Sequence, residues 1–316
     1  MSGCEERKIR RWRVEDGREV GSSMDAGSTV SSIAVSRDGK LVVSGMIGGE
    51  VMVWNAETHK KVTEFRGHSK KVFAVDVSPD ATKIVTGSED KTARVRSLST
   101  TASWHQLFDP LKHDDTVVAA KYSPDGRLVA TAAWGCYSIR IYDSQNGQRL
   151  VEVPIRVNSA FNQSLAWAGD SKQLFALSHD GTINHFDVFT GTTLSEWPIH
   201  SKNYPTCIAL AKNGTFIAAS DRSSVSFWDT TTHNQIGEVI QDDRFVQSMT
   251  FSPNGLATGG DKTIIHRSLC DILPSSHWGD EIALDQQPRE RETDRPSEDV
   301  DSEDRGVFID GLTPVL

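Results

Sequence analysis

A short turn signature recurs along this chain at intervals of about 40 to 45 residues. In each copy a short apolar stretch leads into Ser-Pro-Asp or an equivalent tripeptide, and a second apolar stretch follows. Proline presets φ for a tight bend, and Asp, Asn and Gly tolerate the backbone angles that such a bend requires. The pattern therefore predicts a repeated antiparallel hairpin. The six turns occupy residues 36–39, 78–81, 123–126, 168–171, 211–214 and 252–255.

A third apolar stretch closes each repeat on an aromatic residue or an arginine. The spacing of these stretches is the interval expected for one four-stranded blade of a β-propeller. Apolar runs of about five residues, as in residues 30–35, 72–77 and 128–132, predict buried strands, and no segment keeps a helical period. The predicted fold class is therefore an all-β propeller. The seven third-strand ends are Trp12, Trp54, Arg96, Tyr142, Phe186, Trp228 and Arg267.

Composition is compatible with one large repeat domain. Hydrophobic residues make up 37% of the chain and charged residues 24%, close to the average of globular proteins, so a substantial core can form. The four cysteines lie far apart without a CxxC pair, which argues against a disulfide framework or a zinc site. We find no signal-peptide pattern and no apolar run of about 18 residues, so we expect an intracellular protein, cytoplasmic or nuclear, that does not bind membranes.

The negative charge is concentrated in a C-terminal tail. The net charge is −9, and most of it lies between residues 280 and 305. Because few apolar residues interrupt the Asp, Glu, Arg, Pro and Ser, we predict a largely disordered tail at residues 270–316 after a propeller domain at residues 1–269. An acidic balance also opposes binding to a phosphate backbone, so no nucleic-acid partner is expected.

The third-strand ends carry the clearest likeness to a known family. They read Phe-Trp-Asp at 227–229, Val-Trp-Asn at 53–55, Ile-Tyr-Asp at 141–143 and His-Phe-Asp at 185–187, and Gly-His at 67–68 opens one repeat. These motifs resemble the WD-repeat family over roughly residues 2 to 269. The resemblance implies a WD-repeat β-propeller with a role in protein assembly, and it implies protein partners without naming them.

The resemblance also implies a buried hydrogen-bonded set of His, Ser or Thr, Asp and Trp in each blade. One repeat supplies the first three of these residues, but Arg96 stands where Trp is expected. No repeat completes the set, so we expect the blades to be held chiefly by apolar packing. The residues to which we assign structural roles are His68, Thr86, Asp90, Trp54 and Trp228.

The N-terminal residues leave open how the ring closes. Residues 2–12 match the end of a second strand, its turn and a third strand, so the chain begins inside a blade that lacks its inner strands. We favour a seven-blade ancestry with an incomplete N-terminal blade. The alternatives are six closed blades, with residues 19–24 completing the last blade at residues 246–269, or a sequence truncated at its start.

The sequence shows no convincing catalytic or ligand-binding pattern. We find no paired nucleophile and base, no metal-ligand spacing and no phosphate loop, and the glycine-rich residues 255–260 have no helix after them. We therefore predict no enzyme activity and neither cofactor nor metal. The predicted function is a non-catalytic scaffold or adaptor for protein–protein interactions. A degenerate or truncated family member with little independent activity is the alternative, and a propeller enzyme is less favoured.

The predicted binding surface is one face of the propeller. The resemblance implies that this face is built by the loops between blades and by the turns between second and third strands, and loops on a rigid fold commonly carry function. Trp134 and Phe245 are the strongest candidates, because turn chemistry does not explain bulky aromatic residues at these loop edges, and exposed aromatics are typical interface anchors. The face is expected to hold Lys70, Lys71, Glu89, Asp114, Asp115, Trp134, Phe161, His179, Tyr204, Asp221, Arg244 and Phe245.

Overall fold

Antiparallel sheets follow one another along residues 30–268, and each adds its strands in chain order from an inner to an outer edge. Five sheets have four strands, and the last has three among its described residues. We number these sheets blade 1 to blade 6. The computed structural model describes residues 2–3, 7–14, 16–98, 105–134, 138–155, 164–199, 205–242, 245–252, 255–260 and 263–274.

A small N-terminal sheet precedes the blades, and the first three blades follow it. The N-terminal sheet contains β1 (Ser2–Gly3), β2 (Lys8–Arg10) and β3 (Met24–Asp25). Blade 1 contains β4 (Val30–Val35), β5 (Leu41–Met46), β6 (Glu50–Asn55) and β7 (Lys61–Arg66). Blade 2 contains β8 (Val72–Val77), β9 (Lys83–Ser88), β10 (Thr92–Ser97) and β11 (Leu111–Lys112). Blade 3 contains β12 (Val117–Tyr122), β13 (Leu128–Ala133), β14 (Ser138–Asp143) and β15 (Arg149–Pro154).

The last three blades are followed by a single short helix. Blade 4 contains β16 (Leu165–Trp167), β17 (Gln173–Leu177), β18 (Thr182–Asp187) and β19 (Thr193–Pro198). Blade 5 contains β20 (Pro205–Leu210), β21 (Phe216–Asp221), β22 (Ser224–Asp229) and β23 (Gln235–Gln241). Blade 6 contains β24 (Ser248–Phe251), β25 (Gly255–Gly260) and β26 (Thr263–Ser268), and the helix is α1 (Leu269–Ile272).

Burial falls from the inner to the outer strands, as expected for sheets stacked face to face around an axis. Every residue of β13 is buried, whereas β15 buries only Val153. Inner strands have a neighbouring blade on both faces, which favours Val, Ile and Ala over the alternating pattern of a half-exposed sheet. Apolar clusters join the consecutive blades pairwise, for example Phe216 and Phe227 of blade 5 with Leu256 of blade 6.

The recurrent Ser-Pro-Asp turns form the first hairpin of the blades. In blade 3, Ser123 Oγ donates a hydrogen bond to Asp125 Oδ1 at 2.6 Å and accepts one from the backbone N–H of Leu128 at 2.9 Å. Gly126 takes a positive φ of 74° and closes the turn with a backbone hydrogen bond to Ser123 O at 2.8 Å. The serine and aspartate therefore satisfy backbone donors that the bend leaves without strand partners.

The N-terminal sheet lies between blade 6 and blade 1. Ile9 and Met24 of this sheet pack into the apolar cluster of blade 1, and Val14 packs against Ala257 of blade 6. The predicted all-β propeller is confirmed, and its six-blade arrangement fits the six-blade alternative. β1 pairs with β2, as predicted for the end of a second strand followed by a third strand, and β3 adds a further short strand to this sheet.

Six blades are present, but residues 19–24 do not complete the last blade at residues 246–269 in the described part of the chain. Among the described residues of 17–24 and 246–269, no strand pairing joins the two segments. Met24–Asp25 pairs with Lys8 and Ile9 instead. After β26 the chain continues into α1, and Leu269 and Leu273 join the apolar cluster that contains Phe216 of blade 5. The boundary drawn after residue 269 thus falls inside α1, and residues 275–316 of the predicted tail lie outside the described residues.

Candidate protein-binding face

Two backbone segments of each blade meet on the same side of the disc. One is the loop that leads into the inner strand, and the other is the turn between the second and third strands. We call the surface that they build the loop face. Backbone hydrogen bonds of 3.2, 2.9 and 2.7 Å tie the turn to the loop in blades 1, 2 and 3, from Ile47 to Thr29, from Glu89 to Lys71 and from Trp134 to Thr116.

The opposite face is tied together in the same way. There the turn after the third strand donates to the turn after the inner strand, as from Ser144 N to Arg127 O at 2.9 Å and from Val188 N to Lys172 O at 2.9 Å. Because both ends of the strands are fastened, the loop face is presented on a stiff support rather than on independent loops.

Trp134 is the most prominent apolar side chain of the loop face. It follows β13 directly, and 52% of its surface is exposed. A side chain this exposed does not fill a space between blades. Ile47 occupies the matching position after β5 in blade 1 and is 46% exposed. Ile47 is not among the residues predicted from the sequence, although its position directly after the second strand is the signal that identifies it.

Blade 2 contributes charged side chains to the loop face. Lys70 Nζ lies 3.4 Å from Glu89 Oε1, and both side chains are largely exposed. Lys71 is half-buried, with its Nζ 4.4 Å from the centre of the Phe73 ring. Burial lowers the pKa of Lys71, while the carboxylate of Glu89 acts in the opposite direction. Lys70 and Glu89 are therefore accessible to a partner, whereas Lys71 stiffens the loop by packing on Phe73.

An ion-pair network links blade 2 to blade 3 on the same face. Asp114 Oδ2 lies 2.8 Å from Arg140 Nη2, and Arg140 Nε lies 3.1 Å from Glu152 Oε1. Lys91 of blade 2 donates to the backbone oxygen of Asp114 at 2.9 Å. Asp115 accepts a hydrogen bond from the backbone N–H after it. The network fixes the loop beside Trp134, and the Asp114 carboxylate itself stays exposed.

The remaining candidates do not form one continuous cluster. His179 is exposed in the turn of blade 4, and Asp221 accepts a hydrogen bond from Ser224 Oγ at 2.5 Å in blade 5. Phe245 is half-buried and lines a cavity of about 10 Å³ beside Thr258 and Gly260, so it is less accessible than Trp134. Three other candidates, Phe161, Tyr204 and Arg244, lie outside the described residues.

The predicted structural set in blade 2 is assembled around a buried histidine. His68 Nδ1 lies 2.8 Å from Asp90 Oδ2, and His68 Nε2 lies 2.7 Å from Thr86 Oγ1. Burial lowers the pKa of His68 against the opposing effect of Asp90. Burial alone would raise the pKa of Asp90, but the hydrogen bonds with His68 and Thr92 outweigh it and hold that pKa well below its usual range. The set anchors the loop that leads into blade 2.

The residues at the end of the third strand, where the family has Trp, form different contacts in different blades. Trp54 Nε1 donates to Ser44 Oγ at 2.9 Å, and Trp228 Nε1 donates to Ser226 Oγ at 2.8 Å. In blade 6 an arginine takes this place, and Arg267 Nη2 lies 3.0 Å from Asp242 Oδ2. In blade 6 a largely buried ion pair thus stands where the family's hydrogen-bonded set is expected.

Groups of metal-ligating residues are absent from the part of the chain that the structure describes. There, no three His, Cys, Asp or Glu residues come close enough together to hold a metal ion. Burial raises the pKa of Cys207 to about 12, so this thiol remains protonated at neutral pH and is a poor nucleophile. Within the same described ranges, no helix has the length and apolar character needed to cross a membrane.

One larger groove lies on the outer rim, away from Trp134. It has a volume of about 540 Å³ and runs between blades 2 and 3, lined by Phe108, Pro110, Lys112, Tyr142 and Arg149 among others. None of the residues predicted to bind partners lines this groove.

Comparisons with known proteins agree with the architecture. A family model described as WD domain, G-beta repeat matches residues 20–55, 59–97, 106–143 and 191–229. Apoptotic protease-activating factor 1 of Homo sapiens is 31% identical over 169 residues, which cover 52% of this chain and 13% of that protein. Eukaryotic translation initiation factor 3 subunit I of Neurospora crassa is 22% identical over 209 residues, which cover 62% of this chain and 59% of that protein.

Further likeness comes from a third relative and from a solved structure. WD repeat-containing protein 82 of Drosophila melanogaster is 27% identical over 208 residues, which cover 62% of each protein. The chain thus spans less than two thirds of the length of these three relatives. A chain in the crystal structure of the mitotic checkpoint complex has the same fold, with a TM-score of 0.71 and 19% identity over 82% of this chain and 80% of that one. The matched repeats and the shared propeller show that this chain belongs to the WD-repeat β-propeller family.

Proposed function

We propose that this chain is an intracellular, non-catalytic scaffold that binds protein partners through its loop face. The observation that carries the proposal is the half-exposed Trp134, whose backbone is hydrogen-bonded to Thr116. A rigid, exposed tryptophan gives a large contact area at little cost in conformational entropy, which is why Trp is enriched among the residues that dominate binding energy.

Other residues of the loop face support the interpretation that Trp134 is part of a binding interface and is not exposed by chance. Ile47 offers a second apolar anchor at the matching turn of blade 1, and the exposed Lys70–Glu89 pair of blade 2 lies between these two turns in chain order. Protein interfaces combine buried apolar anchors with a polar rim in this way. The partner is therefore expected to present an apolar contact flanked by polar or charged groups.

The relatives support binding in the same general sense. One is called a subunit of a translation initiation factor, and the similar solved chain is part of a checkpoint complex. Those names describe proteins that work in assemblies. For this chain they favour assembly with other proteins.

The test compares two exposed aromatic residues on opposite faces. Trp134→Ala and Ile47→Ala remove the loop-face anchors, and Phe189→Ala is the matched control, because Phe189 is 59% exposed in the turn between β18 and β19 on the opposite face. Tagged full-length variants are expressed in cells of the source organism, and captured proteins are quantified by mass spectrometry.

We expect a reproducible set of proteins to be lost with Trp134→Ala and Ile47→Ala and retained with Phe189→Ala. Thermal unfolding of each purified variant verifies that the propeller is intact. Identical recovery with all three folded variants would reject the loop-face assignment. Co-purification of a metal or cofactor with substrate turnover would favour a propeller enzyme instead.

A further inference from the structure

Two arginines of blade 2 converge on one glycine of the preceding loop. Arg94 and Arg96 are two residues apart on β10, so their side chains leave the same face of the sheet, toward blade 1. A Cβ placed on Gly67 would lie 2.1 Å from Arg96 Nη2 and 3.6 Å from Arg94 Nη1. Both guanidinium groups thus gather at the outer rim, beside the loop that leads into blade 2.

Each arginine is held in place by uncharged groups. The guanidinium of Arg96 lies over the Phe65 ring, 5.0 Å from its centre, and its Nη2 donates to Arg66 O at 3.4 Å. Arg94 Nη1 donates to Gln106 Oε1 at 2.9 Å. These contacts orient the two positive charges but do not neutralise either of them.

Carboxylates near this pair are engaged elsewhere. Among the described residues, no Asp or Glu forms an ion pair with Arg94 or Arg96. Glu50 and Glu64 of blade 1 pair with Arg66 instead, at 3.7 and 3.8 Å. The neighbouring residues 99–104, which the structure does not describe, contain no Asp or Glu at all.

This arrangement is electrostatically costly for the protein alone. Burial lowers the pKa of Arg96, and the adjacent charge of Arg94 acts in the same direction. Arg94 Nε is buried without a hydrogen-bond partner in the described structure. Two half-buried like charges disfavour each other, and a buried donor without an acceptor loses its hydration without compensation. An external anion at the rim would relieve the repulsion between the two positive charges.

We propose that Arg94 and Arg96 form a binding site for an oxyanion, either a carboxylate or a phosphate group. Planar guanidinium groups match the geometry of both anions and bind them with two parallel hydrogen bonds. The site lies at the rim between blades 1 and 2 and does not depend on binding at Trp134. It is distinct from the outer groove between blades 2 and 3.

The test uses the full-length chain with two small anions as probes. Isothermal titration calorimetry measures binding of inorganic phosphate and of acetate in chloride buffer at constant ionic strength. The double variant Arg94→Gln/Arg96→Gln removes both charges and keeps polar side chains of similar length. Arg127→Gln is the matched control, because the Arg127 side chain is 85% exposed in a turn on the opposite face.

We expect saturable phosphate binding by the native protein and by Arg127→Gln. Binding should weaken about tenfold or more in the double variant, because it lacks both charged hydrogen-bond donors. Binding of phosphate without acetate assigns the site to phosphorylated groups, and binding of acetate assigns it to carboxylates. Failure of both anions to bind, or equal binding by the double variant, overturns the proposal.

Folding of the variants is checked by circular dichroism and thermal unfolding. If the double variant does not fold, Arg96→Lys replaces it, because lysine keeps the charge but lacks the planar fork. Phosphate affinity must then fall relative to the native protein for the proposal to stand. Unchanged affinity in a folded Arg96→Lys protein contradicts a site built on guanidinium geometry.

Discussion

The indole of Trp197 stacks on the imidazole of His233, with ring centroids 4.3 Å apart and planes 15° from parallel. Trp197 belongs to the outer strand of blade 4, and His233 to the turn before the outer strand of blade 5, so the stack joins two neighbouring blades at the rim. His233 takes a positive φ of 60° to reach it. In other blades too, a residue in the turn between the third and fourth strands contacts the preceding sheet. His59 contacts Gly21, Gly147 contacts Phe108, and Gly191 contacts Val151.

The first prediction separates ring stacking from backbone strain at His233. His233→Ala removes the stack but keeps a side chain at positive φ, so we expect it to lower the free energy of unfolding by about 1 kcal/mol. His233→Gly also removes the stack, but glycine adopts a positive φ without strain. This gain of about 1 kcal/mol offsets the lost stacking, so we expect the glycine variant to be about as stable as the native protein. Urea unfolding measures the free energy of unfolding of both variants. Equal stability of the two variants would contradict the assignment of strain.

The second prediction concerns two glycines with the same backbone conformation and different neighbours. Gly147 and Gly214 have φ values of 73° and 75°. A Cβ on Gly147 would lie 2.5 Å from Phe108 Cδ2, whereas a Cβ on Gly214 would meet nothing within 4 Å. Gly214→Ala is expected to cost about 1 kcal/mol from φ alone.

Gly147→Ala carries the same backbone cost, and it also forces Phe108 out of its position. We expect an additional loss of about 1–3 kcal/mol in chemical denaturation, the usual cost of overpacking. Equal losses for the two glycine variants would show that the contact between Phe108 and the turn of blade 3 contributes nothing to stability.

The third prediction tests the hydrogen bonds around His68. Thr86→Val keeps the shape of the side chain but removes the partner of His68 Nε2, and the side chain of His68 is only 1% exposed. A buried polar atom without a partner costs about 1–3 kcal/mol. Thr86→Ser restores a hydroxyl and is expected to recover most of the loss. Thermal unfolding in which the Val and Ser variants behave alike would argue against the hydrogen bond as the cause.

The fourth prediction is a pH dependence of stability set by His113. Burial lowers the pKa of His113 to about 4, and the charge of Arg140 adds to the effect. The unfolded chain, with a histidine pKa of about 6.5, takes up the proton at higher pH. The buried, neutral His113 therefore makes its full contribution to the free energy of unfolding above about pH 6.5. This contribution, up to about 3 kcal/mol, is lost as the pH falls toward 4.

Replacing His113 should flatten this profile. The free energy of unfolding of His113→Gln is expected to fall less between pH 7 and pH 4.5 or so than that of the native protein, because the replacement has no proton to gain. His179→Gln, which alters an exposed histidine of the loop face, serves as the control and should keep the native slope. If the free energy of unfolding of His113→Gln falls with pH as steeply as that of the native protein, groups other than His113 cause the loss of stability in acid.

Local features of the fold were predictable because they lie close together in sequence. The Ser-x-Asp turn at Ser123 and Asp125 satisfies its own backbone, so its residues alone identify it. His68, Thr86 and Asp90 all belong to one blade, in the loop before its inner strand and in the following hairpin. The predicted position of Trp134 in a turn depends only on where β13 ends. Each of these features is contained within a single repeat.

The sequence by itself determined that this chain folds as a series of antiparallel blades, because turn chemistry and apolar spacing act within about 40 residues. Tertiary structure alone decided which residues touch across blades: Trp197 with His233, Phe108 with Gly147, and Arg96 with Phe65. It also decided that the N-terminal strands form their own sheet between blades 6 and 1. The physical reason is that such contacts join separate repeats, so they depend on how the sheets stack around the axis rather than on any local pattern.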